Sequence, residues 1–184
     1  MKEIKHDLVV MGATGFTGKL VVEYLIKNYG VHNERFTWAI AGRSSRKLEK
    51  LKHSLKELDP LSPDIPTMQV DSLDSKSLDT MTSSCRLVIS TVGPYMKFGI
   101  QLVESCVKNL THYCDLTGEV PFIRQSIDLF HLKAKENGCR IIHSCGFDSI
   151  PSDIGVLLLQ QTSIKRYQNL VMRSISMSNQ LGGG

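Results

Sequence analysis

The sequence predicts an α/β fold: a doubly wound parallel sheet, of the kind described as a Rossmann unit, with helices on both faces. Three observations carry this reading. Short apolar runs alternate along the chain with stretches of helical periodicity. The runs are continuous and rich in β-branched residues, as in strands buried on both faces. Several of them end in a glycine or a polar cluster just before a helix, where open α/β sheets bind their ligands.

The elements follow in order. Residues 7–12 (DLVVMG) form a first strand ending in glycine. Residues 18–29 place Leu20, Val21, Tyr24, Leu25 and Tyr29 at helical spacing. Residues 36–42 (FTWAIAG) form the second strand. Residues 45–58 form a charged amphipathic helix with Leu48, Leu51, Leu55 and Leu58 on one face, stopped by Pro60, Pro63 and Pro66. Residues 67–71 form a short third strand, and residues 86–92 (RLVISTV) a fourth. A helix over 100–109 leads to a weaker strand at 111–115. A helix over 122–137 is closed by Gly138 as a C-terminal cap, and a sixth strand covers 140–144. Six strands with helical crossovers in about 150 residues make a Rossmann unit.

Beyond it, residues 154–161 read as a helix and 170–178 as an alternating strand with no partner in that order. The expected organisation is therefore an NAD(P)-binding domain over 1–151. Residues 152–184 begin a second α/β domain for substrate or dimerisation, cut at Gly182-Gly183-Gly184.

Composition removes several classes. In 184 residues, 22 lysines and arginines stand against 18 acids, and the excess of +4 is spread rather than clustered as for nucleic-acid binding. No charge-free stretch is longer than Leu8 to Gly18 or Ile154 to Ile164, so no transmembrane segment is expected where about 20 apolar residues are required. The opening residues show no signal-peptide pattern. The five cysteines are odd in number and lack a Cys-x-x-Cys pair, which argues for buried reduced thiols in a reducing, cytoplasmic-type compartment and against a metal site.

The chemistry begins after the first strand, at Gly12-Ala13-Thr14-Gly15-Phe16-Thr17-Gly18. Gly12 permits the tight turn, Gly15 lets backbone approach a pyrophosphate, and Gly18 lets the helix pack on the strand. The positive helix end then holds phosphate. At the second strand's end, where an acid would bind the ribose 2′-hydroxyl of NAD, the chain has Ala41-Gly42-Arg43-Ser44, with Lys47 nearby. Arg43 can take a 2′-phosphate in bidentate fashion, with Ser44 and Lys47 as further donors, so NADP(H) is favoured over NAD(H). Asp71, at the tip of the third strand, is expected near the adenine or as a helix cap.

Three more motifs fall at the tips of strands four to six: residues 92–95 (VGPY, with Val92, Gly93 and Pro94 beside the cofactor), 115–119 (DLTGE) and 145–153 (CGFDSIPSD). Glycines with polar neighbours at three successive tips point to an active-site cleft. Tyr95, Asp115, Glu119 and Asp148 are the candidate catalytic groups. The three acids have cap roles as alternatives, Tyr95 a core role, and Asp153 is a first-turn acid. His112 and His143 lie within strands and read as core or supporting residues. No tyrosine is followed four residues later by lysine, so the proton-donating Tyr-x-x-x-Lys pair of short-chain dehydrogenases is absent.

The ordered set GATGFTG (12–18), AGR (41–43), VGPY, DLTGE and GFDSIPSD (146–153) resembles the saccharopine dehydrogenase-like oxidoreductases, including the trans-acting enoyl reductases of bacteria. The resemblance covers nearly the whole chain. It implies an NAD(P)-dependent reductase with a second α/β domain, acting on a small-molecule or lipid-type enoyl substrate. It also implies association with lipid droplets, mitochondria or membranes, and a possible homodimer in the full-length protein. The alternative expectation is a non-catalytic dinucleotide-binding or lipid-surface scaffold protein.

Overall fold

The computed structural model describes residues 3–167, and the strand expected over 170–178 lies outside them. The chain divides into two compact units, residues 1–146 and 147–184.

In the first unit, six parallel strands lie in the order β3-β2-β1-β4-β5-β6. They are β1 (His6–Met11), β2 (Trp38–Gly42), β3 (Thr67–Gln69), β4 (Cys85–Ser90), β5 (His112–Asp115) and β6 (Ile141–Ile142). The order reverses at β1, which pairs with β2 on one side and β4 on the other, so both crossovers diverge beside its carboxyl end.

Each face of the sheet has its own core. Val9 and Met11 of β1 point to one face, packed with Leu78 and Met81 of α3 (Ser75–Ser83), Leu102 and Val103 of α5 (Ile100–Lys108), and Phe122 of α6 (Val120–Glu136). Leu8 and Val10 point to the other, against Val22, Leu25 and Ile26 of α1 (Phe16–Tyr29) and Leu48 and Leu51 of α2 (Ser45–Ser54). Burial on both sides is why β1 and β2 read as unbroken apolar runs. Each fully buried leucine, such as Leu48 or Leu78, contributes about 1.5–3 kcal/mol.

The helix after residue 122 ends as its sequence predicts. Gly138 takes φ +68°, and the N–H groups of Gly138 and Cys139 donate to Lys135 and Ala134 carbonyls, a Schellman closure. Two helices had no apolar periodicity to announce them. α3 turns inward only two apolar side chains, Leu78 and Met81, beside the buried Thr82, and is started instead by Asp74, whose carboxylate accepts from Lys76 and Ser77 N–H. The single turn α4 (Tyr95–Phe98) precedes α5. The helix expected over 45–58 ends at Ser54, its last residues forming turns before a 3₁₀ turn at Ser62–Asp64.

In the second unit, α7 runs Ile150–Tyr167, longer at both ends than the eight residues expected, with Asp153 in its first turn. Among the described residues no helix is long and apolar enough to cross a membrane.

Candidate functional site

The β1–α1 turn is built by what its glycines allow. Gly12 sits at φ +87°, and a Cβ there would lie 2.7 Å from Val92 Cγ2 and 2.8 Å from Thr91 Oγ1. At Gly18 a Cβ would stand 2.1 Å from the Gly12 carbonyl oxygen, so only glycine lets α1 pass this close to the turn. Gly15, by contrast, has one close neighbour, Gly12 O at 3.3 Å, and otherwise faces the open cleft. The turn is pinned by Gly12 and Ala13 N–H donating to Ala41 O, and by Thr91 Oγ1 donating to Met11 and Gly12 carbonyls at 3.1 and 3.3 Å.

No side chain caps the start of α1, whose first-turn amides therefore have no capping side-chain acceptor. They open on a cleft of about 210 Å³ lined by Gly12, Thr14, Gly15, Arg43, Ser72 and Val92 among others. Bare amides, a positive helix end and a wall without Cβ atoms fit the pyrophosphate of a dinucleotide. Ala13 is buried behind the turn, whereas Thr17 lies within the first turn of α1 and Phe16 stands 85% exposed at its start.

At the end of β2, Arg43 is exposed beside Gly42 and reaches the cleft. Its carbonyl accepts from Gln69 Nε2, and Ser45 Oγ donates to Gln69 Oε1 at 2.8 Å, so β3 steadies the β2–α2 turn. Ser44 is the N-cap of α2, its Oγ accepting from Lys47 N–H at 3.3 Å, which leaves its hydroxyl proton free to donate outward. Asp71 turns its carboxylate to Leu73 N–H at 3.0 Å, forming a turn ahead of α3. The buried Ser72, unmarked in the sequence by any motif, lines the cleft.

The three strand tips at the opposite end are tied together by carboxylates. Glu119 reaches across to α4, its two oxygens accepting from Tyr95 N–H at 2.7 Å and Met96 N–H at 2.8 Å. This joins the Val92-Gly93-Pro94 turn, whose Gly93–Pro94 peptide is cis, to the loop after β5. Asp115 is buried and accepts four bonds: from Tyr113 OH at 2.8 Å, His143 Nδ1 at 2.7 Å, Thr117 N–H at 3.1 Å and Ser144 N–H at 3.2 Å. Ser144, at φ +60°, donates its hydroxyl to Thr117 O, joining the loops after β5 and β6. His143 Nε2 meets Ser126 Oγ of α6 at 3.0 Å, which completes a buried Tyr113–Asp115–His143–Ser126 chain. Tyr95 is buried, its OH donating to Ser90 O at 3.0 Å, and burial pushes its phenol up to about 12.

Among the candidate catalytic groups, then, the structure gathers Tyr95, Asp115 and Glu119 into one framework and engages the polar atoms of each. Asp148 is exposed and belongs to the second unit. His143, expected inside the sixth strand, lies just after the shorter β6 and takes the supporting role, bonding Asp115. Ser126 and Thr91 went unnoticed in the sequence because their partners lie 17 and about 80 residues away. Among the described residues no group of histidines, cysteines and acids could hold a metal ion.

A glycine-walled cleft at the point where strand order reverses, open to bare helix amides, defines a dinucleotide-binding Rossmann domain. The family model "saccharopine dehydrogenase NADP binding domain" matches residues 8–142; the chain belongs to that family, and its cofactor is NADP(H). Trans-acting enoyl reductases of Mycobacterium tuberculosis (strain H37Rv) and Mycobacterium leprae are 41% and 40% identical over 98% and 97% of this chain, which spans 43% of each of them. Apo saccharopine dehydrogenase (L-Glu forming) from Saccharomyces cerevisiae superposes with a TM-score of 0.65 at 16% identity, over 87% of this chain and 32% of that one. The triphenylmethane reductase of Citrobacter sp., complexed with NADP(H), gives 0.53 at 13% identity, over 74% and 48%. At these identities the two structures speak for the shared fold alone.

Proposed function

We propose that this chain is the NADP(H)-binding half of an oxidoreductase that reduces the activated double bond of a lipid-type enoyl substrate. The observation that carries the proposal is the 41% identity, over 98% of this chain, to proteins named trans-acting enoyl reductase. When bound, the dihydronicotinamide supplies hydride. The amides of α1 hold the pyrophosphate, Arg43 and Ser44 receive the 2′-phosphate, and the tips of β4, β5 and β6 frame the nicotinamide end.

In this reading Tyr95, Asp115 and Glu119 are positioning residues. Each already has its polar atoms engaged, and a phenol near 12 is a poor acid at neutral pH. Asp148 is the one candidate catalytic group of this chain whose carboxylate is left exposed, so a polar role toward substrate falls to it and to groups in a longer protein. That tightness also supports a second reading, a dinucleotide-binding or scaffold protein without turnover. A homodimer and a lipid-droplet, mitochondrial or membrane-surface location extend the first reading to the full-length protein.

Titration of the chain with NADPH and NADH, followed by cofactor fluorescence, tests the binding half. Oxidation of NADPH by a full-length protein in the presence of enoyl thioesters tests the reaction. Turnover that survives Tyr95→Phe and falls in Asp148→Asn supports the assignment; turnover lost in Tyr95→Phe with the fold intact reverses it. Tight NADPH binding without turnover across an enoyl panel supports the second reading.

A further inference from the structure

Between α1 and α2 lies an open groove of about 700 Å³, lined by Thr14, Lys19, Arg46, Lys47, Lys50 and neighbouring residues of α2. Thr14 also lines the glycine cleft, so the groove opens directly off the cofactor site on its adenosine side. Four cations face it and no acid lines it. Among the described residues Arg46, Lys47 and Lys50 make no ion pair, and Lys19 makes only a loose one with Glu23 at 3.7 Å. The nearest acid of α2, Glu49, is paired with Lys52 at 3.2 Å.

A row of like charges along two helices that line one groove repels itself unless an anion sits among them. A phosphate monoester carries close to two negative charges at neutral pH, more than Arg43 alone neutralises. Lys19, one turn into α1, has its side chain half exposed and stands across the groove from the first turn of α2.

We propose that Lys19 is a specificity-determining residue for NADP(H). It closes the 2′-phosphate site from the α1 side, while Arg43, Arg46 and Lys47 serve it from the β2–α2 turn. The inference rests on the cofactor assignment and adds to it a residue on the far side of the glycine loop. Because α1 also carries the pyrophosphate amides, one helix then holds both charged parts of the cofactor. Glu23 competes with the phosphate for the Lys19 ammonium, and its removal strengthens the site.

The test is calorimetric titration of the chain and its Lys19→Gln, Lys19→Arg and Glu23→Gln variants with NADPH, NADH, 2′,5′-ADP and 5′-AMP. Lys19→Gln is expected to weaken NADPH and 2′,5′-ADP about tenfold, or 1.4 kcal/mol, and to leave NADH and 5′-AMP unchanged. Lys19→Arg retains the preference, and Glu23→Gln tightens the phosphorylated ligands alone. Equal weakening of NADPH and NADH, or no change in either, overturns the proposal. A parent chain that binds NADH as tightly as NADPH overturns the cofactor assignment itself. A parent that discriminates while Lys19→Gln discriminates equally well overturns only the role of Lys19.

Discussion

Glu119 caps a helix that it does not belong to: its carboxylate accepts the main-chain N–H groups of Tyr95 and Met96, 24 and 23 residues earlier in the chain. The two bonds cross from the loop after β5 to the turn after β4 and so tie two of the three strand tips together. Asp115 makes the corresponding link from β5 to the loop after β6 through Thr117 and Ser144. Under the proposed function both carboxylates act by position, holding the strand tips without touching cofactor or substrate.

Replacing Glu119 by alanine leaves the Tyr95 and Met96 amides without their acceptor. The loss is expected to cost about 1–2 kcal/mol in denaturant unfolding, the range of other helix caps. Its effect on binding is asymmetric, because the adenosine end is untouched: NADPH weakens while 2′,5′-ADP binds as before. Equal weakening of both ligands would show that the link steadies the whole sheet rather than the nicotinamide end.

Asp115→Asn removes the charge from a site with four donors pointing inward and gives it an amide nitrogen that can only donate. Breaking a buried, charge-assisted cluster in this way is expected to cost about 3 kcal/mol or more, read as a lower urea midpoint. His143→Gln, which removes a single donor, costs less. A variant Asp115→Asn as stable as the parent would mean that the four bonds are individually dispensable.

Much of this was legible in sequence, and the boundary of legibility has a physical cause. The strands β1 and β2 announced themselves because both their faces are buried, and Gly138 because a left-handed residue closes the helix before it. The glycine turn was legible because the contacts that exclude a Cβ at Gly18, with Gly12 and Ala13, are local in the chain. α3 was not, since nearly all its length is serine, threonine and charge with two apolar inward side chains. Nor were the bonds of Asp115 and Glu119: their residue types fit both catalysis and capping, and partners they bond lie in other loops. Asp71 holds its own turn, its carboxylate accepting from Leu73 N–H two residues on.

A second helix pair carries a pH-sensitive clasp. The Lys108 ammonium, hydrogen-bonded to Asp79, holds that carboxyl below its ordinary value, helped by Ser105 and Asn109, and so joins α3 to α5. A depressed carboxyl adds stability above its unfolded value of 3.8 and loses it as pH falls through the folded one. Asp79→Asn is therefore expected to be less stable than the parent at pH 7, with the difference closing as pH falls below 4. Because Lys108 is exposed, added salt narrows the gap at pH 7. A difference that is constant from pH 7 to pH 3 would assign the effect to the neutral hydrogen bonds to Ser105 and Asn109 instead.

The glycine turn separates folding from binding within seven residues. Gly18→Ala places a methyl 2.1 Å from Gly12 O and 2.8 Å from Ala13 Cα, both backbone atoms that cannot turn aside. α1 must then lift from β1, and a cost of about 3 kcal/mol or more is expected, at the high end for single substitutions. Gly15→Ala meets only Gly12 O at 3.3 Å and has an ordinary backbone conformation, φ −78°, so the fold tolerates it within about 1 kcal/mol. Its methyl instead projects where the pyrophosphate must approach, and NADPH affinity is expected to fall at least tenfold with the unfolding midpoint nearly unchanged. Thermal unfolding and NADPH titration of the two variants side by side read both effects. If Gly15→Ala bound NADPH normally, the pyrophosphate would have to lie away from the α1 amides, and the cofactor's path through the cleft would need redrawing.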